Sequence, residues 1–296
     1  MIRRRASGGS ARRPAAGHPE IKAGVRLDER LVHEGLAETR ARAQAAVLAG
    51  RVTVDGAVAD KPGRRVTPEM RVGVVGPANP FVSRGGLKLA HALETFGIDV
   101  RGAAAIDLGA STGGFTDCLL QAGAARVYAV DVGRGQLAWS LRQDPRVVVV
   151  EDTNARHLTP GQFPDASDVV TADLSFISLR LVWGVIARLT RPGGHVIALV
   201  KPQFEAGRDA VRRGGVVRDP AVHAAVLDDT IAAASREGLT PVAVTASPIT
   251  GPAGNIEYLV HLRRPPDVSA LDGSLRADDI AGVVADAHAR LRRRGA

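Results

Sequence analysis

Lysine is scarce in this chain: four of its 39 basic residues are lysine, and all the others are arginine. A guanidinium keeps its proton in proteins, whereas a buried ammonium group can have its pKa lowered toward neutrality. The few positions that keep lysine in such an arginine-rich chain are therefore candidates for proton transfer. Lys88 and Lys201 are two of these four lysines. A structural alternative stays open, in which Lys88 lies on a helix surface and Lys201 closes a strand.

Cysteine and long apolar segments are also lacking. Cys118 is the single cysteine, so no intrachain disulfide can form, and without Cys and His pairs at ligand spacing we expect no metal site. No apolar run reaches the ~18 residues of a membrane span, and no apolar core follows the N-terminal arginines of a would-be signal peptide. With 296 residues, 45% of them hydrophobic, we expect a cytoplasmic protein with one sizeable core and a small second module.

The net charge of +8 is unevenly distributed. Residues 1–76 hold 15 Arg and Lys against 8 Asp and Glu, a net +7, whereas the other 220 residues hold 24 against 23, a net +1. Such asymmetry favours a polyanionic partner, because neutralising phosphates supplies the sequence-independent part of nucleic-acid affinity. The alternative is a solvated basic tail, since residues 1–24 are rich in Gly, Ala, Arg and Pro and predict a disordered arm.

Residues 25–76 predict a small basic domain. Leu27 and Leu31 recur at helical spacing before Gly35, and a second helix is predicted between Thr39 and Gly50. Two short strands, 51–54 and 70–75, follow, the first ending in an Asp-Gly turn. This pattern resembles the alpha-L motif of the S-four RNA-binding domain, although a generic basic domain remains an alternative. The resemblance implies phosphate contacts from six side chains: Arg26, Arg40, Arg42, Lys61, Arg64 and Arg65.

After a stiff linker, residues 77–82, helices and strands alternate from residue 83 to residue 296. This alternation predicts an α/β domain of the Rossmann-like type, with a mostly parallel seven-stranded sheet, helices on both faces and ligands at the carboxyl ends of the strands. The last two strands are joined by a short loop, so we expect them to pair antiparallel. Predicted strands are 103–107, 125–131, 146–151, 168–173, 195–201, 241–246 and 256–262; predicted helices are 85–96, 114–123, 137–141, 179–190 and 221–237.

A glycine-rich segment, residues 106–115, follows the first of these strands. It lacks the G-x-G-x-x-G spacing of a dinucleotide site, and Asp107 precedes its first glycine, which favours a cationic ligand such as S-adenosylmethionine. We expect Asp107 to reach the amino group of this cofactor, and Asp131, 22 residues after Gly109, to bind both ribose hydroxyls. Taken singly, each acidic residue is more often a turn former. The other predicted contacts are Gly109, Ser111, Gly113 and Gly114 to the methionine part, and Asp152 and Asn154 to the adenine.

The end of the fourth strand, Asp173-Leu174-Ser175-Phe176, is expected to face the transferred methyl group. Amino-group methylation usually needs two prolines here, and these are missing. Carbon methylation of a pyrimidine needs a cysteine nucleophile, yet Cys118 lies in the helix after the glycine-rich segment. Oxygen methylation remains. A ribose 2′-hydroxyl needs a base in the transition state, which a lysine can supply.

Four segments together resemble the catalytic tetrad of FtsJ-like ribose methyltransferases: Arg84–Leu89, Asp173, Lys201–Glu205 and Asn255–Tyr258. With the RNA-binding module in front, the chain resembles the TlyA family of rRNA 2′-O-methyltransferases, whose members are also called hemolysins. The resemblance implies that Lys201 is the base, that Asp173 and Lys88 orient it and tune its basicity, and that Glu257 is a further orienting group. It also implies cytidine methylation in small- and large-subunit rRNA, so that ribosomal subunits would be the partners of what we expect to be a monomer.

Two further hypotheses compete with an enzyme. A membrane-active cytolysin needs an inserting segment, and the best candidate is the apolar stripe within residues 274–294, which we expect to cover the sheet. A catalytically silent RNA-binding protein would carry a broken tetrad, and here the tetrad is intact.

Overall fold

The computed structural model describes residues 24–37, 39–74, 79–164, 166–207, 211, 215–266 and 275–292. The predicted disordered arm, apart from Gly24, lies outside the described residues. So do residues 75–78, which comprise the end of the predicted N-terminal domain and the first two residues of the predicted linker.

The N-terminal domain folds around a small apolar core, in which Leu27 and Leu31 of the first helix meet Val47 of the second. Both predicted helices are confirmed. The first predicted strand is the first half of a hairpin that turns at Asp55 and Gly56, as predicted, and both turn residues have positive φ, as a tight two-residue turn requires. Strands of two or three residues are too short for an alternating pattern, and the sequence missed three of them. The elements are β1 Val25–Arg26, α1 Leu27–His33, α2 Arg40–Leu48, β2 Val52–Val54, β3 Ala57–Ala59, β4 Arg65–Val66 and β5 Val72–Val74.

The second domain contains a seven-stranded sheet with helices on both faces. Its helices are α3 Gly85–Phe96, α4 Gly114–Gln121, α5 Trp139–Arg142, α6 Trp183–Leu189, α7 Pro202–Glu205, α8 Pro220–Arg236 and α9 Ala277–Arg292. Its strands are β6 Ala104–Leu108, β7 Arg126–Val130, β8 Val147–Val150, β9 Ser167–Ala172, β10 Thr190–Val200, β11 Thr240–Ala246 and β12 Tyr258–Arg263. Single turns of 3₁₀-helix lie at Ala155–His157, Pro160–Gln162 and Leu179–Leu181.

The strand order in this sheet is β11-β12-β10-β9-β6-β7-β8. The pairs among β10, β9, β6, β7 and β8 are parallel, and β12 runs antiparallel to both β10 and β11. The predicted mostly parallel sheet and the predicted antiparallel pair are therefore confirmed. Because β12 is reversed, its first residues lie at the same edge as the carboxyl ends of the parallel strands.

Two apolar layers hold the helices to the sheet. One face packs against α3 and α4, and the other packs against α6, α8 and α9. Helix α9 buries Ile280, Val284 and Ala287 against β11 and α8. The apolar stripe near the C-terminus thus covers the sheet, as the sequence predicted.

One predicted helix, 179–190, was wrong at both ends. A 3₁₀ turn occupies Leu179–Leu181, α6 begins only at Trp183, and β10 already starts at Thr190 rather than at residue 195. The register of β10 against β9 shifts between Thr190 and His195, around Gly193 with its φ of 77°. A glycine that permits this irregularity lets the strand continue through a segment whose composition is typical of a turn.

Candidate active site

The four predicted catalytic residues meet at one edge of the sheet as two ion pairs. Lys201 Nζ lies 2.6 Å from Asp173 Oδ1, and Lys88 Nζ lies 2.5 Å from Glu257 Oε2. Asp173 and Lys201 directly follow the neighbouring parallel strands β9 and β10. Glu257 directly precedes β12, whose reversed direction places it beside the end of β10. Lys88 comes from the first turns of α3.

The lysines of these pairs are largely removed from water: Lys88 is 7% exposed and Lys201 is 8% exposed. Charges buried to this extent need a partner, and each ammonium has a carboxylate of its own. Burial by itself would raise the pKa of Asp173, but the positive charges of Lys201 and Lys88 outweigh it and hold that pKa below its ordinary value. Asp173 therefore stays ionised beside Lys201.

Ser175 and Phe176 lie just after Asp173, and the sequence analysis assigned neither residue a role of its own. Ser175 Oγ accepts a hydrogen bond of 2.9 Å from Lys201 Nζ. The next residue, Phe176, is 91% exposed and has a φ of 63°. An exposed aromatic ring on left-handed backbone is unusual, and the four-residue segment that begins at Asp173 was the only signal for it.

Two adjoining cavities open at this edge of the sheet. The larger, of about 830 Å³, runs along Asp131, Gln136, Asn154 and Phe176. The smaller, of about 230 Å³, contains both lysines. The two cavities share the wall formed by Gly109, Ser111, Asp173 and Ser175. A molecule in the larger cavity can thus meet a second molecule beside Lys201.

The larger cavity has a volume in the range of small-molecule binding sites. Asp131 lies in its wall, where Oδ2 accepts from Ser111 N at 2.8 Å and Oδ1 accepts from Gly133 N at 2.7 Å. These bonds hold the carboxylate in place, and each oxygen retains capacity for a ribose hydroxyl. Ser111 Oγ also lies 3.3 Å from Gln136 Oε1, a residue that the sequence reasoning did not select.

The contact of Asp107 with the amino group of the cofactor, directly or through water, stays a prediction. The Asp107 side chain is fully buried and belongs to neither cavity wall, and its two carboxylate oxygens accept hydrogen bonds from Thr116 at 2.7 Å and from Thr171 at 3.0 Å. Burial raises the pKa of Asp107 to about 6, although both threonine bonds act in the opposite direction. A parallel strand is buried on both faces, so its sequence cannot tell which side chains face the ligand. Asp107 braces the strand beneath the glycine-rich segment.

Glycines of that segment allow parts of the site to approach closely. A Cβ at Gly109 would lie 2.7 Å from the backbone oxygen of Asp173, and one at Gly114 would lie 2.2 Å from Ser83 Oγ. Gly109 and Gly114 line the smaller cavity, whereas Gly113, with a φ of 96°, packs against Leu141 instead. These glycines allow close packing within the site.

The two predicted adenine contacts have different positions. Asn154 lines the larger cavity and caps the 3₁₀ turn through a 3.1 Å bond from Arg156 N. Asp152 lies outside the cavity wall, with its side chain 66% exposed and 3.9 Å from Arg134 Nε.

Two of the predicted phosphate-binding arginines of the N-terminal domain are held by the buried carboxylate of Asp28. Arg26 Nη2 and Arg40 Nε lie 2.9 Å and 3.2 Å from Asp28 Oδ2, and Gln44 donates to the same oxygen at 2.8 Å. Burial would raise the pKa of Asp28, but the hydrogen bonds from Arg26, Gln44 and Arg40 bring it far below its ordinary value. The other four predicted phosphate contacts, Arg42, Lys61, Arg64 and Arg65, are exposed, and Arg65 also donates to the carbonyl of Gly24.

The N-terminal domain reaches the active site through the end of α2. Asn79 Nδ2 donates to Ala49 O at 3.1 Å, and Arg84 N donates to Leu48 O at 3.3 Å, so the chain between the domains caps carbonyls at a helix C-terminus. Leu48 and Asp60 also line the smaller cavity. Both domains therefore contribute to the wall around the lysines.

Comparison with known proteins agrees with this geometry. Residues 81–264 match the FtsJ-like methyltransferase family, and residues 25–72 match the S4 domain. The chain is 48% identical over 244 residues to the 16S/23S rRNA (cytidine-2′-O)-methyltransferase TlyA of Mycobacterium tuberculosis, covering 82% of this chain and 91% of that protein. The chain belongs to the TlyA family of FtsJ-like methyltransferases. The predicted methyltransferase with an N-terminal RNA-binding domain is thus confirmed.

Two other relatives span nearly the whole chain. YqxC of Bacillus subtilis, named as an rRNA methyltransferase, is 49% identical over 273 residues, which is 92% of this chain and 96% of that protein. A solved structure of a hemolysin-named protein from Streptococcus thermophilus superposes with a TM-score of 0.74 at 41% identity, covering 93% of this chain and 99% of the other. The TlyA-family fold and domain order therefore extend over both domains.

Other chemistry finds little support in the described part of the chain. Burial raises the pKa of the Cys118 thiol to about 12, so this packed side chain is unsuited to act as a nucleophile. Within the same residues, no group of three or more His, Cys, Asp or Glu could hold a metal ion. None of the helices described is long and apolar enough to cross a membrane.

Proposed function

We propose that this TlyA-family protein transfers a methyl group from S-adenosylmethionine to a ribose 2′-hydroxyl of ribosomal RNA. The observation that carries the proposal is the position of Lys201, which is paired with Asp173 in the wall between the two cavities. One cavity would take the cofactor, and the other would take the reacting nucleotide. Methyl transfer to oxygen needs a base at this junction, and lysine is the candidate there.

The larger cavity supports S-adenosylmethionine as the cofactor. Asp131 would bind the ribose hydroxyls, Asn154 would lie toward the adenine, and Gly109 and Ser111 would face the methionine part. When bound, this cofactor supplies an electrophilic methyl group. Because Gly109 and Ser111 belong to both cavity walls, the reacting carbon would lie close to Lys201.

Lys201 moves the proton in this proposal. As an ammonium it is held by Asp173 and Ser175 at 2.6 Å and 2.9 Å. After losing a proton to solvent, Nζ can accept the proton of the ribose hydroxyl while the oxygen bonds to the methyl carbon. Asp173 then stabilises the ammonium that re-forms.

RNA recognition is divided between the domains in our proposal, with residues 25–76 binding RNA, 77–82 linking, and 83–296 carrying the chemistry. Basic side chains of the first domain would contact phosphates, whereas Phe176 would stack on the base of the target nucleotide. An exposed aromatic ring is a typical platform for an unstacked RNA base. Phe176 follows directly after Ser175, so a base on its ring would bring the attached ribose toward Lys201.

The name of the Mycobacterium tuberculosis relative supports a cytidine target in both 16S and 23S rRNA. We extend that assignment to this chain, together with a cytoplasmic location beside its ribosomal substrate and action as a monomer. The hemolysin alternative is not favoured, because relatives named as rRNA methyltransferases match most of the chain.

The proposal is tested in two reactions, each of which contains the purified protein and S-adenosylmethionine. One reaction receives unmodified small ribosomal subunits, and the other receives unmodified large subunits. Mass mapping of nuclease fragments should find a gain of one methyl group on a cytidine ribose. A methyl group on a base, or no modified nucleotide in either subunit, would contradict the proposed function.

A further inference from the structure

Glu205 is a buried carboxylate at the end of α7, four residues after Lys201, and the chemistry described above does not use it. Only 6% of the residue is exposed. Burying a carboxylate costs free energy unless hydrogen bonds replace its water. The bonds made by Glu205 all go to one short stretch of chain, residues 178–180.

Three consecutive residues are held by Glu205. Oε1 accepts from Leu179 N at 2.8 Å, and Oε2 accepts from Ser178 Oγ at 2.6 Å. Arg180 Nη2 donates to the backbone oxygen of Glu205 at 2.9 Å, and Arg180 Nε lies 3.8 Å from Oε2. Hydrogen bonds to a carboxylate are stronger than neutral ones, so Glu205 fixes this stretch firmly.

The stretch is one end of the loop that carries Phe176. The other end is Asp173, which is held by Lys201 at 2.6 Å. The segment Lys201–Glu205 thus holds both ends of the loop, and Phe204 from the same segment packs against Phe176 with ring centroids 5.1 Å apart. A left-handed phenylalanine costs free energy and persists only where its surroundings enforce it. Glu205 supplies part of that enforcement.

We propose that Glu205 is a positioning residue that keeps the ring of Phe176 in place to receive the target base. This inference rests on the proposed function, in which Phe176 stacks on that base. Glu205 acts through Phe176, so its loss should lower use of the RNA much more than it lowers affinity for the cofactor, although the same loop also lines the larger cavity. Proton transfer by Lys201 should not change.

The kinetic test uses Glu205→Gln, which keeps size and one acceptor but presents an amide N–H₂ to the Ser178 hydroxyl. We expect kcat/KM for ribosomal subunits to fall by about tenfold. The Kd for S-adenosylmethionine should change much less than kcat/KM, and the shape of the pH profile should not change. Ser178→Ala, a milder change, should act in the same direction. Glu237→Gln makes the same chemical change at an exposed position and should have no effect.

A double-mutant cycle separates positioning from general stability. In a Phe176→Ala background, adding Glu205→Gln should cost little more, because the group it positions is already gone. If the fold-losses in kcat/KM of the two single variants multiply in the double variant, the proposal is overturned. An unchanged kcat/KM in a folded Glu205→Gln protein would also overturn it. A fall in cofactor affinity equal to the fall in activity would also overturn it.

A readout that needs no activity keeps this inference separate from the proposed function. The chain has two tryptophans, and Trp183 is fully buried, so Phe176→Trp in a Trp139→Phe background places one exposed probe on the loop. Adding Glu205→Gln should lower the fluorescence anisotropy of this probe and increase its quenching by iodide. Unchanged anisotropy and quenching would overturn the role of Glu205. Absence of methylation by the wild type would overturn only the proposed function.

Discussion

Each buried lysine at this active site has its own carboxylate, and the two pairs have different surroundings. Lys88 is matched with Glu257, which is 1% exposed, whereas Lys201 is matched with Asp173 and also contacts Ser175. Both lysines line the smaller cavity, but Asp173 and Ser175 also line the larger one, so Lys201 lies at the wall that the two cavities share. A base must reach the proton that it removes, and this position favours Lys201. Arginine fills most basic positions in this chain, but it could not perform this step because it cannot give up its proton.

Asp131 is the residue on which the cofactor proposal depends most directly. Asp131→Ala removes the carboxylate that Ser111 N and Gly133 N hold in the cavity wall. We expect the Kd for S-adenosylmethionine to rise by about tenfold or more, since two ribose hydroxyls lose a charged acceptor. Titration calorimetry on the intact protein measures it. Asp152→Ala is the matched control, and equal losses in both variants would remove Asp131 from the site.

At the scale of elements, a one-turn helix and a reversed strand bring the residues of the site together. The turn of α7 links Lys201 to Glu205, and the reversed strand β12 brings Glu257 to the carboxyl edge. In the N-terminal domain, α2 presents Arg40 toward Asp28 of α1. These short elements are positioned by contacts between residues far apart in the chain.

Helix α2 provides a prediction about RNA binding. Arg40→Ala and Arg42→Ala should each lower the slope of log Kobs against log salt by roughly one unit for every RNA phosphate that the variant no longer neutralises. Filter binding to ribosomal subunits across a range of salt concentrations measures these slopes. Arg101, which is exposed on the second domain and paired with Asp99 at 2.6 Å, provides the control Arg101→Ala. If the slopes of the α2 variants match that of the wild type, α2 does not contact phosphate.

The sequence was informative where a local pattern determines structure, and less so where tertiary contacts decide. The alternation of helices and strands predicted the sheet, and the short loop between the last two strands predicted their antiparallel pairing. The tetrad residues were assigned from the resemblance to FtsJ-like ribose methyltransferases. The burial of Asp107 could not be foreseen, since both faces of its strand are covered. Glu205 bonds to residues 178–180, which lie about 25 residues earlier in the chain; the bond from Arg180 to the backbone oxygen of Glu205 is one example. No local sequence pattern indicates such contacts.

At the scale of the whole molecule, buried histidines should make stability depend on pH. Burial lowers the pKa of His223 and of His261 to about 4. Their neutral forms stabilise the fold fully above the unfolded pKa of ~6.5, and this contribution is lost as pH falls toward 4. Asp107 acts in the opposite direction, because its raised pKa of about 6 lets the folded state take up a proton first.

Two histidines outweigh one aspartate, so the free energy of unfolding should fall on acidification. Between pH ~7.5 and ~5 each histidine accounts for about 2 kcal/mol of loss and Asp107 returns about 1 kcal/mol, a net loss of roughly 2–3 kcal/mol. Urea unfolding at the two pH values measures this difference. His157→Gln, at an exposed position, should leave it unchanged. Equal or greater stability at the lower pH would contradict the linkage.

The central claim is that Lys201 removes the proton of a ribose hydroxyl, and Lys201→Arg tests it most directly. The measurement is single-turnover methylation of ribosomal subunits by the variant and the wild type across pH, with RNA and cofactor affinities determined separately. We predict a loss of about 10²- to 10⁴-fold with both affinities retained, because guanidinium keeps the charge but cannot accept the proton. Lys88→Arg, which preserves a cation for Glu257, should retain more activity. Substantial methylation by Lys201→Arg would contradict the account, since a mere electrostatic anchor is the one role that arginine could fill.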